Sequence, residues 1–149
     1  MEIQIKKVET EKEKEQALAI RYHVFVNEQN VPPEEEIDKW DDIAVHFLAS
    51  ISDQPVGTGR LRWLNSHVGK VERVAVMPKY RGTGVGKAIM TTMEAYARSR
   101  GTTEILLYAQ TQAAAFYQRL GYQKEGDTFL DAGIEHIAMR KKLIPDKPT

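Results

Sequence analysis

The segment from residue 71 to residue 90, VERVAVMPKYRGTGVGKAIM, constrains the fold of this chain more than any other part of the sequence. Its valines are β-branched and fall in a short apolar run, which is typical of a buried strand, and a proline then ends the run. Glycines follow at every second position, Gly82, Gly84 and Gly86, and an apolar pattern of helical period begins directly after them. The segment therefore predicts a strand, a glycine-rich loop and a helix in direct succession.

A loop of this kind is suited to binding an anion. The first turn of a helix carries backbone N–H groups that have no partner inside the helix, and they lie at the positive end of the helix dipole. Glycine lets a bulky anion approach that backbone closely. Arg81 adds a permanent positive charge at the start of the loop. We therefore expect a site for phosphate or pyrophosphate here.

The spacing of the glycines excludes two common phosphate-binding loops. A Walker A loop requires glycine, four residues and then Gly-Lys-Ser/Thr, but the residue five before Gly86 is Arg81, and Ala88 follows Lys87. A dinucleotide-binding fingerprint requires a third glycine where this chain has Lys87. The pattern that is present is Arg-x-x-Gly-x-Gly, which Arg81, Gly84 and Gly86 form.

A second motif lies at residues 109–122, which read AQTQAAAFYQRLGY. Together the two motifs resemble the GNAT N-acetyltransferase superfamily, whose members use the Arg-x-x-Gly-x-Gly loop to hold the pyrophosphate of acetyl-coenzyme A. The family's helix pattern is Asn-x-x-Ala-x-x-Phe/Leu-Tyr-x-x-x-Gly-Phe/Tyr. The residues that match it in register are Ala113, Phe116, Tyr117, Gly121 and Tyr122. Gln110 stands where the family usually has asparagine, which affects one side-chain contact to the pantetheine arm.

Two further segments narrow the resemblance to a bacterial branch of the superfamily. Residues 21–42, RYHVFVNEQNVPPEEEIDKWDD, and residues 129–139, FLDAGIEHIAM, are similar to the branch often labelled ElaA-like or YjcF-like. The resemblance implies an acetyl-CoA-dependent N-acetyltransferase that passes the acetyl group directly to a primary amine of a small molecule, peptide or protein. The alternative is a non-catalytic CoA-binding sensor or interaction module of the same fold. No motif identifies the acceptor.

Composition excludes several other classes of protein. A chain of 149 residues with 42% apolar residues suits one GNAT domain over residues 1–149, with a frayed tail at 144–149. A formal net charge of zero without a basic run argues against nucleic acid as a partner. The absence of cysteine excludes disulfides and an acyl-cysteine intermediate.

The distribution of apolar residues along the chain indicates where in the cell the protein is located. No apolar run approaches the roughly 20 residues that a membrane span requires. The first residues, MEIQIKKVETEKEKE, lack the apolar centre of a secretion signal. We therefore expect a cytoplasmic protein that needs no metal and no membrane, and a homodimer is an option because dimers are common in similar proteins.

The predicted order of elements is β-α-β-β-β-α-β-α-β-β. This order, which is also the GNAT order, indicates an α/β (α+β) sandwich with one mixed, mostly antiparallel sheet and helices on both faces. Thr10 is expected to cap a first helix over about 11–28, followed by an acidic connector over 29–42. The helix after the glycine loop is expected over about 83–100, and a loop over 126–131 is expected to separate the last two strands.

The resemblance also implies where the cofactor lies. Two strands, at residues 71–77 and 103–109, are expected to splay apart, and the cofactor arm pairs with the backbone of the first like an added strand. The residues implied to contact acetyl-CoA are Val74, Ala75, Val76, Arg81, Gly82, Thr83, Gly84, Val85, Gly86, Lys87, Gln110, Ala113 and Phe116. Val74, Ala75 and Val76 can instead be ordinary core residues, a role that is compatible with contact to the cofactor through their backbone. Lys87 either contacts a phosphate or is simply solvated.

The catalytic residues follow from the same motifs. Tyr117 occupies the position that serves as general acid in many family members, and core packing is its alternative role. A base must also remove a proton from the amine. Glu72 lies in the cofactor strand, where strand alternation places it on the face opposite Arg73. His46 and His136 interrupt apolar strands and are further candidates, and a chain of water molecules is another option.

The acidic connector suggests how the acceptor is recognised. Glu34, Glu35 and Glu36 stand in the region that covers the acceptor site in this fold. A cluster of carboxylates would attract a cationic amine. The alternative is that the run is only a solvated loop. The predicted acceptor site thus combines these three glutamates with His46 and His136.

Overall fold

The computed structural model describes residues 2–144, which form one seven-stranded sheet with helices packed on it. The strands are Ile3–Lys7 (β1), Val45–Ile51 (β2), Gln54–Trp63 (β3), Val68–Val76 (β4), Glu104–Gln110 (β5), Gln123–Asp131 (β6) and Ile134–Lys142 (β7). Their order in the sheet is β1-β2-β3-β4-β5-β7-β6. Within the described range β4 and β5 run parallel, and every other neighbouring pair is antiparallel.

Four α-helices accompany the sheet in the described part of the chain: Glu11–Arg21 (α1), Pro33–Glu36 (α2), Val85–Ser99 (α3) and Ala114–Arg119 (α4). Together with the strands they give the predicted order of major elements, and the mixed, mostly antiparallel sheet confirms the predicted fold class. No helix among residues 2–144 is both long and apolar enough to cross a membrane.

The two faces of the sheet are covered by different helices. On β2 the side chains of Phe47 and Ala49 join the core beneath α3, whereas Leu48 packs with Ala17 and Ile20 of α1. Because neighbouring strand residues point to opposite faces, α1 and α3 lie on opposite sides of the sheet. The face that carries α1 also carries the acidic connector, and this face becomes important for the site.

Two glycines of β3 let α3 approach the sheet closely. A Cβ atom on Gly57 would lie 2.9 Å from Cδ1 of Ile89, and one on Gly59 would lie 2.8 Å from Cε of Met93. Both distances are shorter than real Cβ contacts, so the helix rests where these strand residues have no side chain. This close packing fixes the position of α3, which begins at the glycine-rich loop.

The first helix starts as predicted and ends differently. Thr10 caps α1, since its hydroxyl accepts from the Glu13 N–H at 3.1 Å while the Glu13 carboxylate accepts from the Thr10 N–H at 3.1 Å. The prediction of one α-helix over 11–28 was wrong in its second half, because residues 22–28 form a π-helix. Seven residues are too few for apolar spacing to separate the wider turn from an α-helix.

The predicted loop over 126–131 was also wrong. Those residues continue β6, which pairs with β7 on both sides of an irregularity between Glu125 and Phe129. Gly126 has φ +73° and accommodates the irregularity, so the turn-like composition marks a disturbance within a strand. Of the predicted frayed tail, Ile144 is exposed and the remainder lies outside the described residues.

Candidate functional site

The separation of β4 from β5 creates a cleft in the described part of the chain. The two strands pair in parallel only as far as Val71 and Leu107. Beyond that point β4 continues to Val76 and β5 to Gln110 without pairing with each other. The cleft between them has a volume of about 650 Å³. The free edge of β4 can accept an extended ligand as an additional strand.

A β-bulge shapes β4 where it borders the cleft. Arg73 and Val74 of β4 stand opposite Gly59 alone, and Arg73 has φ +56°. The bulge shifts the strand alternation, so Arg73 lies on the same face as Glu72, beside Asp38. The expectation that these two side chains occupy opposite faces was wrong, because it assumed a regular strand.

The glycine-rich loop presents free donors at one end of the cleft. Gly82 and Gly84 have φ +76° and +94°, and a Cβ atom on either would meet no atom within 4 Å. Over residues 82–87 no backbone N–H donates to an acceptor in the described part of the protein. The loop leads into α3, a helix of 15 residues, so dipole and free donors coincide. This arrangement fits a pyrophosphate group.

Arg81 is held by the protein itself. Its Nη1 and Nη2 donate to the two carboxylate oxygens of Glu28 at 3.0 Å and 2.8 Å. Its Nε donates to the carbonyl oxygen of Val76 at 2.9 Å. The guanidinium therefore ties the glycine loop to the π-helix and to the end of β4, and it acts on the loop geometry as well as on its charge.

Most of the residues predicted to contact the cofactor line the cleft: Val74, Ala75, Val76, Arg81, Gly82, Gly84, Gly86, Lys87, Gln110, Ala113 and Phe116. The side chains of Thr83 and Val85 do not line it. The hydroxyl of Thr83 donates to the carbonyl oxygen of Tyr80, and Val85 is buried in the core. These two residues can therefore serve a ligand only through their backbone N–H groups. Their contacts to a cofactor stay a prediction.

Tyr117 lines the cleft with a free hydroxyl. Among residues 2–144 no group forms a hydrogen bond with this hydroxyl, and the ring packs edge-on against Phe116 and Tyr122 at centroid distances of 4.9 Å and 5.9 Å. Burial raises the pKa of Tyr117 to about 12. The hydroxyl therefore keeps its proton at neutral pH, as a proton donor must, and the ring packs in the core at the same time.

Glu72 lines the cleft within a cluster of cations. Its carboxylate accepts from Nη2 of Arg60 at 2.9 Å and from Nε of Arg62 at 2.7 Å, and Nζ of Lys70 lies 3.3 Å away. Burial opposes ionisation, but the hydrogen bond from Arg62 and the neighbouring charges outweigh it and lower the pKa of Glu72 to about 2. A carboxylate with this pKa is a weak proton acceptor at neutral pH.

The low pKa of Glu72 predicts a pH-dependent effect of Glu72→Gln on stability. Because the folded pKa of about 2 lies below the ordinary 4.5, the ionised group contributes stability above pH 4.5 and loses it as the pH falls toward 2. We expect Glu72→Gln to lower the free energy of unfolding by on the order of 3 kcal/mol at pH 7 and by less at pH 3.5. Urea unfolding at both pH values measures the difference.

Glu125→Gln is the matched control for this measurement, because Glu125 forms an exposed pair with Arg140. Its effect should stay below about 1 kcal/mol at either pH. A Glu72→Gln effect that does not shrink on acidification would contradict the assignment.

The acidic connector directs three of its six carboxylates inward. Glu36 is buried and accepts from Nε of Arg21 at 2.7 Å, and Asp41 accepts from Nη1 of the same arginine at 2.6 Å. Asp38 accepts from Nη1 of Arg60 at 2.7 Å. Glu35 and Glu36 line the cleft and Glu34 does not. Less negative charge faces an incoming amine than the sequence suggested.

The two candidate histidines have different surroundings. His46 does not line the cleft; its Nε2 donates to the carbonyl oxygen of Asp41 at 2.9 Å, and burial lowers its pKa. His136 does line the cleft, and its Nδ1 donates to the carbonyl oxygen of Ile134 at 2.7 Å. In the neutral ring this bond leaves Nε2 as the acceptor. Phe129 stacks against the His136 ring at 6.0 Å.

Sequence reasoning missed several residues of the cleft wall, notably Lys70, Arg73, Tyr108 and Asp131. One of them carried a signal: Lys70 is a charged residue within the apolar run VGKVERVAV, and a buried lysine needs a reason. Arg73 carried none, because the bulge that turns it into the cleft is invisible in the alternation pattern.

Comparison with known proteins identifies the class to which this fold and site belong. The sequence model described as acetyltransferase (GNAT) domain matches residues 8–143. The chain belongs to the GNAT acetyltransferase family, as the motifs predicted. It is 41% identical over 142 residues to YyaT of Bacillus subtilis, an uncharacterised protein, covering 93% of this chain and 95% of that one. It is 42% identical over 132 residues to YjcF of the same organism, an uncharacterised N-acetyltransferase, covering 88% and 94%.

Solved structures agree with this assignment. A protein from Lactobacillus plantarum superimposes with a TM-score of 0.89 at 28% identity, covering 95% of this chain and 99% of that one. Escherichia coli ElaA superimposes with a TM-score of 0.82 at 26% identity, covering 94% and 99%. The predicted ElaA-like and YjcF-like resemblance is thereby confirmed. A GNAT acetyltransferase from Elizabethkingia anophelis, solved with acetyl-CoA bound, shares the fold with a TM-score of 0.75 at 17% identity.

Proposed function

We propose that this chain is an acetyl-CoA-dependent N-acetyltransferase that acts on a primary amine. The observation that carries the proposal is the cleft between β4 and β5, which joins the free N–H groups of residues 82–87 to the free hydroxyl of Tyr117. An extended ligand that pairs with β4 and ends in a pyrophosphate matches both features. Family membership and the acetyl-CoA bound to a protein of the same fold give independent support.

The proposed reaction is direct transfer. Acetyl-CoA supplies the thioester, whose carbonyl carbon forms a bond to the amine nitrogen while its bond to sulfur breaks. The amine enters this step neutral, having lost its ammonium proton to solvent. As the bond to nitrogen forms, a proton on the nitrogen passes to Nε2 of His136 and the Tyr117 hydroxyl gives its proton to the departing sulfur; the proton on His136 then returns through solvent to the Tyr117 oxygen. The free edge of β4 and the loop N–H groups hold the donor in place for this step.

The choice of His136 as proton acceptor rests on exclusion among the predicted bases. Glu72 is ionised and bound by two arginines, and its low pKa makes it a weak base. His46 lies outside the cleft wall and its Nε2 is occupied by a backbone carbonyl. His136 lines the cleft with Nε2 free to accept a proton. Glu72 then serves to hold the cations of β3 and β4 in place.

One observation favours the alternative of a CoA-binding module without transfer activity. The amide of Gln110, which stands where the family usually has asparagine, donates to Oε1 of Gln29 at 2.7 Å and accepts from Gln112. Both ends of this amide are thus engaged by the protein. Thiol release from acetyl-CoA in the presence of an amine panel separates the two functions, since a binding module releases none.

The pyrophosphate site can be tested with Gly84→Val. Valine at φ +94° is strained, and its side chain would stand over the free N–H groups. We expect CoA affinity, measured by calorimetry, to fall at least about tenfold. Gly126→Val is the matched control, because Gly126 has φ +73° with open space around it and lies in β6. Equal CoA affinity in both variants would contradict the site.

A further inference from the structure

Lys70 is a buried lysine whose hydrogen-bonding capacity is unused. It is 9% exposed and lines the cleft, yet its Nζ donates no hydrogen bond to any of residues 2–144. The nearest carboxylate oxygen, Oε2 of Glu72, lies 3.3 Å away without hydrogen-bond alignment. The ammonium lies 3.9 Å from the centroid of the Tyr108 ring. The Nζ atom is still accessible from the cleft, so its three donors are available to an acceptor group of a ligand.

Arg73 presents a second unused donor to the same cleft. Its Nε donates to the carbonyl oxygen of Glu36 at 3.1 Å, and its Nη2 approaches Asp38 at 3.3 Å. Its Nη1 forms no hydrogen bond within the described chain. The bulge in β4 turns this side chain onto the face that carries Lys70, so both free donors stand on one side of the sheet.

The charges in this region do not balance. The connected ion pairs contain five cations and four carboxylates: Arg21, Arg60, Arg62, Lys70 and Arg73 with Glu36, Asp38, Asp41 and Glu72. Lys70 and Arg73 are the two cations of this set that line the cleft. Glu36 and Glu72 of this set also line the cleft, as do Glu35 and Asp131 outside it. Glu36 is already paired with two arginines and Glu72 with two arginines and Lys70, so the spare donors of the set at the cleft wall belong to Lys70 and Arg73.

The surroundings of Arg73 support this reading. Burial and the charges of Arg60 and Arg21 lower the pKa of Arg73. For Arg21 burial acts in the same direction, but its bonds to Asp41 and Glu36 outweigh burial and raise the pKa. Arg21 thus has enough counter-charge within the protein, and Arg73 does not.

We propose that Lys70 and Arg73 form an anion subsite, and that the acceptor is an amine that also carries an acidic group, foremost a carboxylate. This inference rests on the proposed function, since it specifies the acceptor of that reaction. It replaces the cationic acceptor expected from the acidic connector, whose inner carboxylates are already neutralised by arginine.

The subsite is separate from the pyrophosphate loop. Lys70 precedes Val76 by six residues along β4, and at about 3.3 Å per residue the two lie roughly 20 Å apart. The loop with the free N–H groups begins beyond Val76. A pyrophosphate seated on the loop cannot also neutralise Lys70, so the anion that does so belongs to the acceptor.

The test compares amines that differ only in charge. The panel pairs β-alanine, γ-aminobutyrate and ε-aminocaproate with their carboxamides, and O-phosphoethanolamine with ethanolamine, so that carboxylate and phosphate monoester are distinguished. We expect at least one anionic amine to have a KM about tenfold or more below that of its neutral partner, because a charged acceptor gives the stronger hydrogen bond. Equal KM values throughout would overturn the inference and leave the proposed function intact.

Variants of Lys70 test whether the preference for anionic amines comes from the proposed anion subsite. Lys70→Met should remove most of the difference between anionic and neutral amines, whereas Lys70→Arg should retain it. Lys124→Met is the matched control, because Lys124 is exposed on β6 away from the cleft. A preference unchanged in Lys70→Met would overturn the assignment.

A binding measurement keeps the inference separate from the proposed function. If no amine releases thiol, the proposed function fails, and calorimetry of the CoA-loaded protein with each matched pair decides the subsite alone. Tighter binding of the anionic amine supports the subsite, and equal or absent binding of both partners overturns it. The wild-type chain suffices for this comparison, so it does not depend on the folding of any variant.

Discussion

The Arg21→Met variant is expected to lose about 3–5 kcal/mol of unfolding free energy. Arg21 is 1% exposed and donates to Glu36, to both oxygens of Asp41 and to the Glu36 carbonyl oxygen. Methionine fills much of the volume but leaves Glu36 buried without its closest cation. Taking one partner from a buried ion pair leaves an uncompensated charge in a poorly solvated place, which is the reason for the large effect. Urea unfolding at pH 7 measures it.

Arg140→Met provides the matched control for this prediction. It removes the same charge by the same substitution, but the Arg140 side chain is 35% exposed and its partners Glu104 and Glu125 remain accessible to water. We expect a loss of at most about 1 kcal/mol. Similar losses of unfolding free energy in Arg21→Met and Arg140→Met would show that the buried pairs of Arg21 with Glu36 and Asp41 do not stabilise the connector more than an exposed pair does.

The Tyr117→Phe variant is expected to have a kcat lower by about 10²-fold with an unchanged Kd for CoA. The substitution removes only the hydroxyl, which has no hydrogen-bond partner among residues 2–144, and the ring contacts with Phe116 and Tyr122 remain. Because the pKa of Tyr117 is about 12, the hydroxyl is protonated at neutral pH and can donate to the departing sulfur. Thiol release gives kcat, and calorimetry gives the Kd.

Tyr22→Phe controls for the loss of a tyrosine hydroxyl as such, since Tyr22 is 49% exposed and does not line the cleft. Its kcat should equal that of the wild type. If Tyr117→Phe retains full activity, Tyr117 serves only in packing, and solvent protonates the departing sulfur.

The elements that sequence could predict are those set by local chemistry. The β-branched valines of β4, the glycines before α3 and the cap at Thr10 each determine structure within a few residues, and each was found where it was expected. The order of elements then fixed the family of folds. The splaying of β4 and β5 came from the family resemblance rather than from any local pattern.

The electrostatics of the site could not be predicted in this way. The partners of Arg60 are Asp38, Asp41 and Glu72, which lie 12 to 22 residues away along the chain. No spacing rule connects them, because their meeting depends on how the connector folds over the sheet. The acidic run therefore suggested an attraction for cations. In the structure three of its carboxylates, those of Glu36, Asp38 and Asp41, are already paired with arginines. The bulge at Arg73 depends likewise on pairing with β3.

The π-helix at residues 22–28 has a consequence for the geometry of the cleft. Its last residue, Glu28, holds Arg81 at the glycine loop, and the next residue, Gln29, holds Gln110 at the end of β5. Each residue in an α-helix turns the chain by about 100°, and a residue of the wider π-helix turns it by somewhat less. In a relative with one residue fewer in this turn, the side chains that correspond to Glu28 and Gln29 would point away from Arg81 and Gln110. A single-residue deletion here in a sequence alignment would therefore indicate that other contacts hold the two sides of the cleft together.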